Sequence, residues 1–295
     1  MLINSFLKYL SYEKKSSPHT VAAYLVDLRA FENFCKDNLE MANIKDVDYV
    51  HIRSWIVCLS EKNNSHRSIN RKMSTLKSFY KYLLKIQEVD KNPLTQHQSL
   101  KIGKKVIVPF SEKEIIDVLN SISGSDFKSI RNKLVVELLY STGMRRAELV
   151  KLEDKDVDIS NKTIKILGKR NKERIVPILD SIVESIEDYQ KEREKIATDS
   201  TRFFITAKGN KIYETLVYRI INDYFSKVSS KTKNSPHVIR HSFATHLLNQ
   251  GADLNSVKEL LGHASLASTQ VYTHNSLEKI KEVYNQTHPR SHKSD

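Results

Sequence analysis

The sequence predicts a mainly helical protein built from two domains. Apolar residues recur at helical spacing over most of the chain, and a lysine-bearing stretch without a sustained period interrupts that pattern between Asn92-Pro93 and Pro109. A chain of 295 residues is long enough for two domains that each bury a core. We therefore expect an N-terminal helical domain over residues 1–94, a linker over 95–109 and a C-terminal domain over 110–295.

Four helices are expected in the N-terminal domain. The first has apolar residues at helical spacing from Ile3 to Leu10, and Ser17 followed by Pro18 is typical of the start of the second. A third is expected from about 48 to 59 around Trp55, and a fourth from 65 to 86. The polar face of the fourth helix carries four basic residues: Arg67, Arg71, Lys77 and Lys81.

The C-terminal domain is expected to be mostly helical with a small antiparallel sheet. Ser111 and Glu114 form a capping box for its first helix, and a long apolar helix should end at Gly143. Two β-branched runs, residues 163–167 and 174–179, flank a polar turn and predict a hairpin with a charged tip. We also expect helices at about 180–195, 213–228, 236–250, 254–261 and 277–286, and a brief strand at 203–206.

The charge balance indicates a polyanionic partner. Lys and Arg exceed Asp and Glu by 13, and the isoelectric point is near 9.5. Nucleic acid is the first candidate, although ribosomal factors and membrane-surface proteins share such charge. The basic face of the fourth helix is either an ordinary solvated face or a set of phosphate contacts, and the overall charge favours contacts. The residues assigned to DNA binding are Arg67, Arg71, Lys77, Lys104 and Lys105.

Cysteine usage and the lack of long apolar segments suggest a cytoplasmic protein. Cys35 and Cys58 belong to no metal-binding pattern and are expected to be core thiols in a reducing compartment. The N-terminus lacks the features of a signal peptide, and no stretch approaches the roughly 20 apolar residues of a membrane span. We therefore expect no contact with a membrane.

Six residues of the expected C-terminal domain form a plausible set for attacking a phosphodiester. Tyr272 is the candidate nucleophile, and because a free tyrosine with a pKa near 10 is scarcely ionised at neutral pH, a base must take its proton. His237 is assigned as that base. Arg240, one helical turn later, and Arg145, just after Gly143, can each fork onto phosphate oxygens.

Two further residues complete the predicted site. Lys169, on the hairpin tip, is the candidate proton donor to the leaving 5′ oxygen, with Lys172 as its close rival. His263 can hydrogen-bond the same phosphate. This chemistry needs no metal and no cofactor.

Together these segments resemble the tyrosine recombinases, and most closely those of the Xer type. The similarity is carried by GMRRAEL, GKRNKER, HVIRHSFATHLL, LGH and VYTH in this order, and by SPHTVAAYLVDLRAFENF and SINRKMSTLKSFYKYLLK near the N-terminus. The match covers nearly the whole chain. Carried over by position, the family's catalytic residues fall on Arg145, Lys169, His237, Arg240, His263 and Tyr272.

The resemblance implies a C-shaped clamp in which an N-terminal core-binding domain and a C-terminal catalytic domain grip double-stranded DNA. Tyr272 would form a 3′-phosphotyrosyl bond and release a 5′ hydroxyl, without ATP. The family works as a homo- or hetero-tetramer on two sites, with a C-terminal helix docked on the next subunit; residues 276–286 resemble that helix, with Leu277, Ile280, Val283 and Tyr284 as its apolar stripe. A sister recombinase and a septal DNA translocase are implied as partners, and chromosome dimer resolution as the role.

Other interpretations stay open. Arg170 stands where the family often has glycine, which weakens the assignment of Lys169, and Ile239 replaces a common leucine. Arg145, Arg146 and Glu148 could be surface charge beside a helix end. His237, His241 and His246 suggest zinc, but the glutamate of HExxH is missing. A DNA-binding protein without catalysis, a mobile-element integrase and a DNA invertase are the functional alternatives.

Overall fold

The protein consists of two compact units, residues 1–105 and 106–295, in a computed structural model that describes residues 2–41, 43–103, 107–168, 172–231, 234–262, 284 and 286–290. Both units are helical, and the second contains a small antiparallel sheet. The predicted fold class, mainly helical with two domains and a small sheet, is confirmed. None of the helices described is long and apolar enough to cross a membrane.

The first unit contains four α-helices among the described residues, and their starts follow from local capping. They are α1 (Leu2–Tyr12), α2 (Pro18–Leu39), α3 (Tyr49–Glu61) and α4 (His66–Lys85), with a 3₁₀ turn at Ile44–Asp46. Ser17 accepts a hydrogen bond from the backbone of Thr20, and Ser65 accepts one from Ser68, so each satisfies an otherwise unpaired amide at its helix start. The apolar stripes of the helices form one core that includes Phe31, Trp55, Leu76 and Phe79.

The second unit is arranged around one central helix. Up to residue 262, the described part of this unit contains the helices α5 (Glu112–Ser121), α6 (Phe127–Thr142), α7 (Arg146–Leu149), α8 (Asp180–Glu194), α9 (Glu214–Val228), α10 (Pro236–Asn249) and α11 (Leu254–Leu261), with a 3₁₀ turn at Asp154–Asp156. Every residue of α6 from Leu134 to Thr142 is buried, because α5, α8, α9 and α10 pack against it. The carboxyl end of α6 is thereby held in the interior of the unit.

The sheet is a three-stranded antiparallel meander in the order β1, β2, β3. Its strands are β1 (Val157–Asp158), β2 (Thr163–Leu167) and β3 (Glu173–Pro177), and β2 pairs with β3 from Thr163↔Pro177 to Leu167↔Glu173. The predicted hairpin is therefore present. Residues 203–206, by contrast, were expected to form a strand and do not. Phe203, Phe204 and Ile205 are fully buried, and Ile205 makes only an isolated bridge with Lys211.

Candidate active site

Arg145 lies at the junction between α6 and α7. Gly143 ends α6 in the left-handed conformation with a φ of 57°, which an L-residue rarely adopts, and α7 begins three residues later at Arg146. Arg145 precedes the first helical residue of α7, and its backbone amide donates to Glu148 Oε2 at 2.8 Å. Its side chain donates to Glu148 Oε1 at 2.7 Å and keeps 35% of its surface exposed. The guanidinium is thus held in place while part of it stays accessible.

Arg240, on α10, is buried and holds two backbone segments together. Nη1 donates to the carbonyl oxygen of Gly143 at 2.5 Å, and Nη2 donates to that of Leu261 at 2.6 Å. Burial, together with the nearby charge of Arg145, lowers the pKa of Arg240 to about 10, so it remains cationic at neutral pH. The predicted pair Arg145 and Arg240 therefore lies at one place in the structure.

Two charged residues that sequence reasoning did not assign to the site complete this cluster. Glu148 and Arg174 form a buried ion pair, with Arg174 Nη2 donating to Glu148 Oε2 at 2.8 Å and Nε donating to the Leu260 carbonyl at 2.9 Å. Burial alone would raise the pKa of Glu148, but hydrogen bonds from Arg174 and Arg145 lower it. The interpretation of Glu148 as surface charge is wrong, because only 6% of its side chain is exposed.

Glu148 had a signal in the sequence and Arg174 a weaker one. The Arg145-x-x-Glu148 spacing at a helix start is that of a capping pair, and the structure uses it so. Arg174 follows the polar hairpin turn and lies at a position of β3 that faces the buried side of the sheet. Strand alternation predicts burial at such a position, but it predicts it equally for an apolar residue, so it does not single out an arginine.

The remaining predicted catalytic residues are either exposed or outside the described residues. His237 is exposed on the first turn of α10, three residues before Arg240. Lys169, His263 and Tyr272 lie outside the described residues. The described neighbours of two of them do reach the cluster: Gly168 would place a Cβ 3.8 Å from Glu148 Oε1, and Gly262 would place one 3.2 Å from Arg174 Nη1.

Comparison with known proteins assigns the chain to a family. The phage integrase family matches residues 105–279, and the N-terminal SAM-like domain of phage integrases matches residues 3–87. The chain belongs to the phage integrase family. The recombinase is 39% identical to the tyrosine recombinase XerC of Pediococcus pentosaceus and 39% identical to that of Anoxybacillus flavithermus; each alignment covers 98% of both proteins. The predicted resemblance to Xer-type tyrosine recombinases is confirmed.

Solved structures share the fold of the recombinase. The crystal structure of the XerH site-specific recombinase bound to palindromic difH substrate is 24% identical, with a TM-score of 0.73 and coverage of 91% of this chain and 80% of that chain. An integrase of the Tn1549 transposon in complex with transposon right end DNA is 21% identical, with a TM-score of 0.74 and coverage of 95% and 98%.

The histidines that suggested zinc lie in different environments. His241 is exposed, whereas His246 is buried with Nδ1 2.8 Å from the hydroxyl of Tyr140, and burial lowers its pKa. Among the residues that the structure describes, no group of three His, Cys, Asp or Glu side chains could hold a metal ion.

Most of the predicted docking helix, including Leu277, Ile280 and Val283, lies outside the described residues. Tyr284 is described, and it is fully buried in the core of the second unit of its own chain. Its hydroxyl donates to the Ser141 carbonyl oxygen at 2.9 Å, near the carboxyl end of α6. In this single chain, the residue that was predicted to contact the next subunit packs against the subunit's own central helix.

On α4, the basic residues predicted to bind DNA are exposed. Arg67 and Lys77 are exposed, and Arg71 leaves 51% of its side chain exposed while it pairs with the fully buried carboxylate of Asp27. That carboxylate also accepts hydrogen bonds from Lys72 and from the hydroxyl of Thr75. Lys104 and Lys105 lie outside the described residues.

Proposed function

We propose that the protein is a Xer-like site-specific recombinase that cuts and rejoins DNA through a covalent bond between Tyr272 and a 3′ phosphate. Arg145 and Arg240 would bind the nonbridging oxygens of the attacked phosphate and stabilise the charge that grows on them. His237 would take the phenolic proton, His263 would hydrogen-bond the phosphate, and Lys169 would protonate the leaving 5′ oxygen. No metal or cofactor enters these steps.

One observation carries this proposal, namely the paired guanidiniums at the end of α6. Arg240 Nη1 donates to the carbonyl oxygen of Gly143, two residues before Arg145, so two arginines 95 residues apart in sequence meet at the junction of α6 and α7. Bringing two cations together costs free energy unless an anion lies between them, and among the described residues Glu148 bonds Nη1 of Arg145 while 35% of the Arg145 side chain stays exposed. The exposed part of Arg145 therefore suits a phosphate.

The finer role is also a proposal. Because relatives that align over nearly the whole chain are named XerC, we propose that the protein resolves chromosome dimers in the cytoplasm. It would bind double-stranded DNA as a tetramer of identical or sister subunits on two sites, and the segment 276–286 would dock on the neighbouring subunit. A septal DNA translocase would regulate it. We propose that DNA phosphates are contacted by Arg67, Arg71, Lys77, Lys104 and Lys105. We also propose that residues 1–94 form the core-binding domain, residues 95–109 the linker and residues 110–295 the catalytic domain.

Covalent capture tests the reaction. DNA that is covalently bound to the protein in cells is recovered and sequenced, and the recovered site is rebuilt as a nicked duplex on which the cleaved strand cannot be religated. We expect the wild type to form a covalent adduct and Tyr272→Phe to bind the duplex without forming one. Tyr12→Phe is the matched control, since Tyr12 is 78% exposed on α1 and should leave the adduct unchanged.

The outcomes separate the alternatives. If the wild type binds its site but forms no adduct, the protein is a DNA-binding protein without catalysis. If the recovered DNA consists of the ends of a mobile element or of an invertible segment, the chemistry stands and the chromosomal role is wrong.

A further inference from the structure

Arg174 is a buried cation on β3, one residue pair away from the tip of the β2–β3 hairpin. It pairs with Ile166 across the two strands, and only 5% of its side chain is exposed. A buried guanidinium is destabilising unless its hydrogen bonds are satisfied. Here Nη2 donates to the carboxylate of Glu148 and Nε donates to the backbone carbonyl of Leu260, which lie on two different segments.

Those two contacts join the hairpin to both other parts of the cluster. Arg174 bonds Glu148, and the Glu148 carboxylate also accepts hydrogen bonds from the backbone amide and the side chain of Arg145. Through the Leu260 carbonyl, Arg174 reaches the carboxyl end of α11, where the next carbonyl, that of Leu261, accepts from Arg240. One side chain therefore links β3, α7 and α11.

The neck of the hairpin tip lies against the same ion pair. The Gly168 amide donates to the Lys172 carbonyl at 2.7 Å and closes the tip. A Cβ on Gly168 would lie 3.8 Å from Glu148 Oε1 and 3.9 Å from Arg174 Nη1. Lys169 follows Gly168 directly in sequence. Whatever holds this neck against Glu148 also determines where the tip leaves the body of the unit.

We infer that Arg174 is a positioning residue that holds the hairpin against Glu148 and the end of α11, so that the proton donor on the tip meets the phosphate held by Arg145 and Arg240. The inference rests on the proposed function. In the step concerned, the Tyr272 oxygen bonds to phosphorus and its proton passes to His237. The bond from phosphorus to the 5′ oxygen breaks, and that oxygen takes a proton from Lys169.

The test compares Arg174→Lys with the wild type on two nicked duplexes in a single-turnover cleavage assay. One duplex has oxygen at the leaving 5′ position and the other has sulfur, which leaves as a thiolate without a proton donor because a thiol pKa is about 8.5. Lysine keeps the charge, but its one nitrogen cannot bond both the Glu148 carboxylate and the Leu260 carbonyl in the fixed geometry of a guanidinium.

We expect Arg174→Lys to slow cleavage of the oxygen duplex by about 10²-fold, as small misplacements of catalytic groups do, and that of the sulfur duplex by less than about tenfold. DNA affinity should stay unchanged. Gly168→Ala perturbs the same neck without altering a charge, since its Cβ would lie 3.3 Å from the Lys172 carbonyl oxygen, and it should show the same preference for the sulfur duplex.

Arg193→Lys is the matched control. Arg193 is also largely buried and bonds Asp154 at 3.0 Å and the Arg202 carbonyl at 3.0 Å, with no contact to Glu148. We expect both Arg193→Lys and Arg174→Lys to lower the thermal unfolding midpoint. Arg193→Lys should nevertheless leave both cleavage rates unchanged.

Two results would overturn the inference. Equal slowing of Arg174→Lys on both duplexes would mean that the residue does not act through proton donation, and unchanged rates would mean that it has no positioning role. Failure of the wild type to form an adduct on either duplex is a different result, because it removes the proposed function itself.

Discussion

Replacing Gly143 by alanine should reduce both the stability of the second unit and the proposed cleavage activity. Because Gly143 has a φ of 57°, alanine at this position costs about 1–2 kcal/mol in backbone strain. Its Cβ would also lie 2.8 Å from Phe243 Cε1 and 2.8 Å from Leu261 Cδ2, and overpacking of this kind costs about 1–3 kcal/mol. The free energy of unfolding should therefore fall by about 2–5 kcal/mol, and the unfolding midpoint by on the order of 10 °C.

The activity should fall for a geometric reason. The Gly143 and Leu261 carbonyls both accept hydrogen bonds from Arg240, and the added methyl group pushes these two segments apart. We expect adduct formation on the nicked duplex to drop by about 10²-fold at a temperature where the variant is still folded.

The assay is thermal unfolding of the full chain followed by circular dichroism, with Gly251→Ala as the matched control. Gly251 has a φ of 92° and nothing within 4 Å of a built Cβ, so alanine there meets strain without a clash. It should cost about 1–2 kcal/mol and leave cleavage unchanged. If the two variants are equally stable, the packing of Phe243 and Leu261 is not what requires glycine at 143, and the reasoning is refuted.

Two further predictions concern charge. Burial would raise the pKa of Glu114, but hydrogen bonds, first from Lys231, lower it from 4.5 to about 2. Because the folded pKa is lowered, this contribution of at most about 3 kcal/mol is present above pH ~4.5 and lost as the pH falls towards 2. Glu114→Gln should thus be less stable than the wild type in urea at pH 7 and equal to it near pH 2; a constant difference contradicts the prediction. Arg67→Gln should reduce the slope of log affinity against log salt by about 0.9, whereas Lys191→Gln on α8 should not. An unchanged slope for Arg67→Gln would place Arg67 away from the DNA.

Local chemistry explains why the helices and the hairpin could be predicted. The caps at Ser17, Ser65 and Ser111 act on amides three residues away, and Gly143 ends its helix through its own backbone conformation. The apolar periods then show which face of each helix is buried. These are interactions within a few residues, so they can be read along the chain.

The strand expected at 203–206 shows where local patterns stop. Phe203, Phe204 and Ile205 have the composition of a strand, but a strand also needs a partner in the right register. These residues enter the core beside Tyr189, whose hydroxyl donates to the Phe203 carbonyl at 3.1 Å and accepts from the Ile205 amide at 3.0 Å. A side chain thus satisfies part of the backbone that a neighbouring strand would have paired.

The amino-acid sequence by itself determined the helices, the hairpin and the family, because motif order and local spacing are properties of the chain. The tertiary structure alone decided that Glu148 and Arg174 are buried and that Arg240 holds the Gly143 and Leu261 carbonyls. Charged side chains are surface residues by default, and only contact between distant segments provides the partners that make their burial possible.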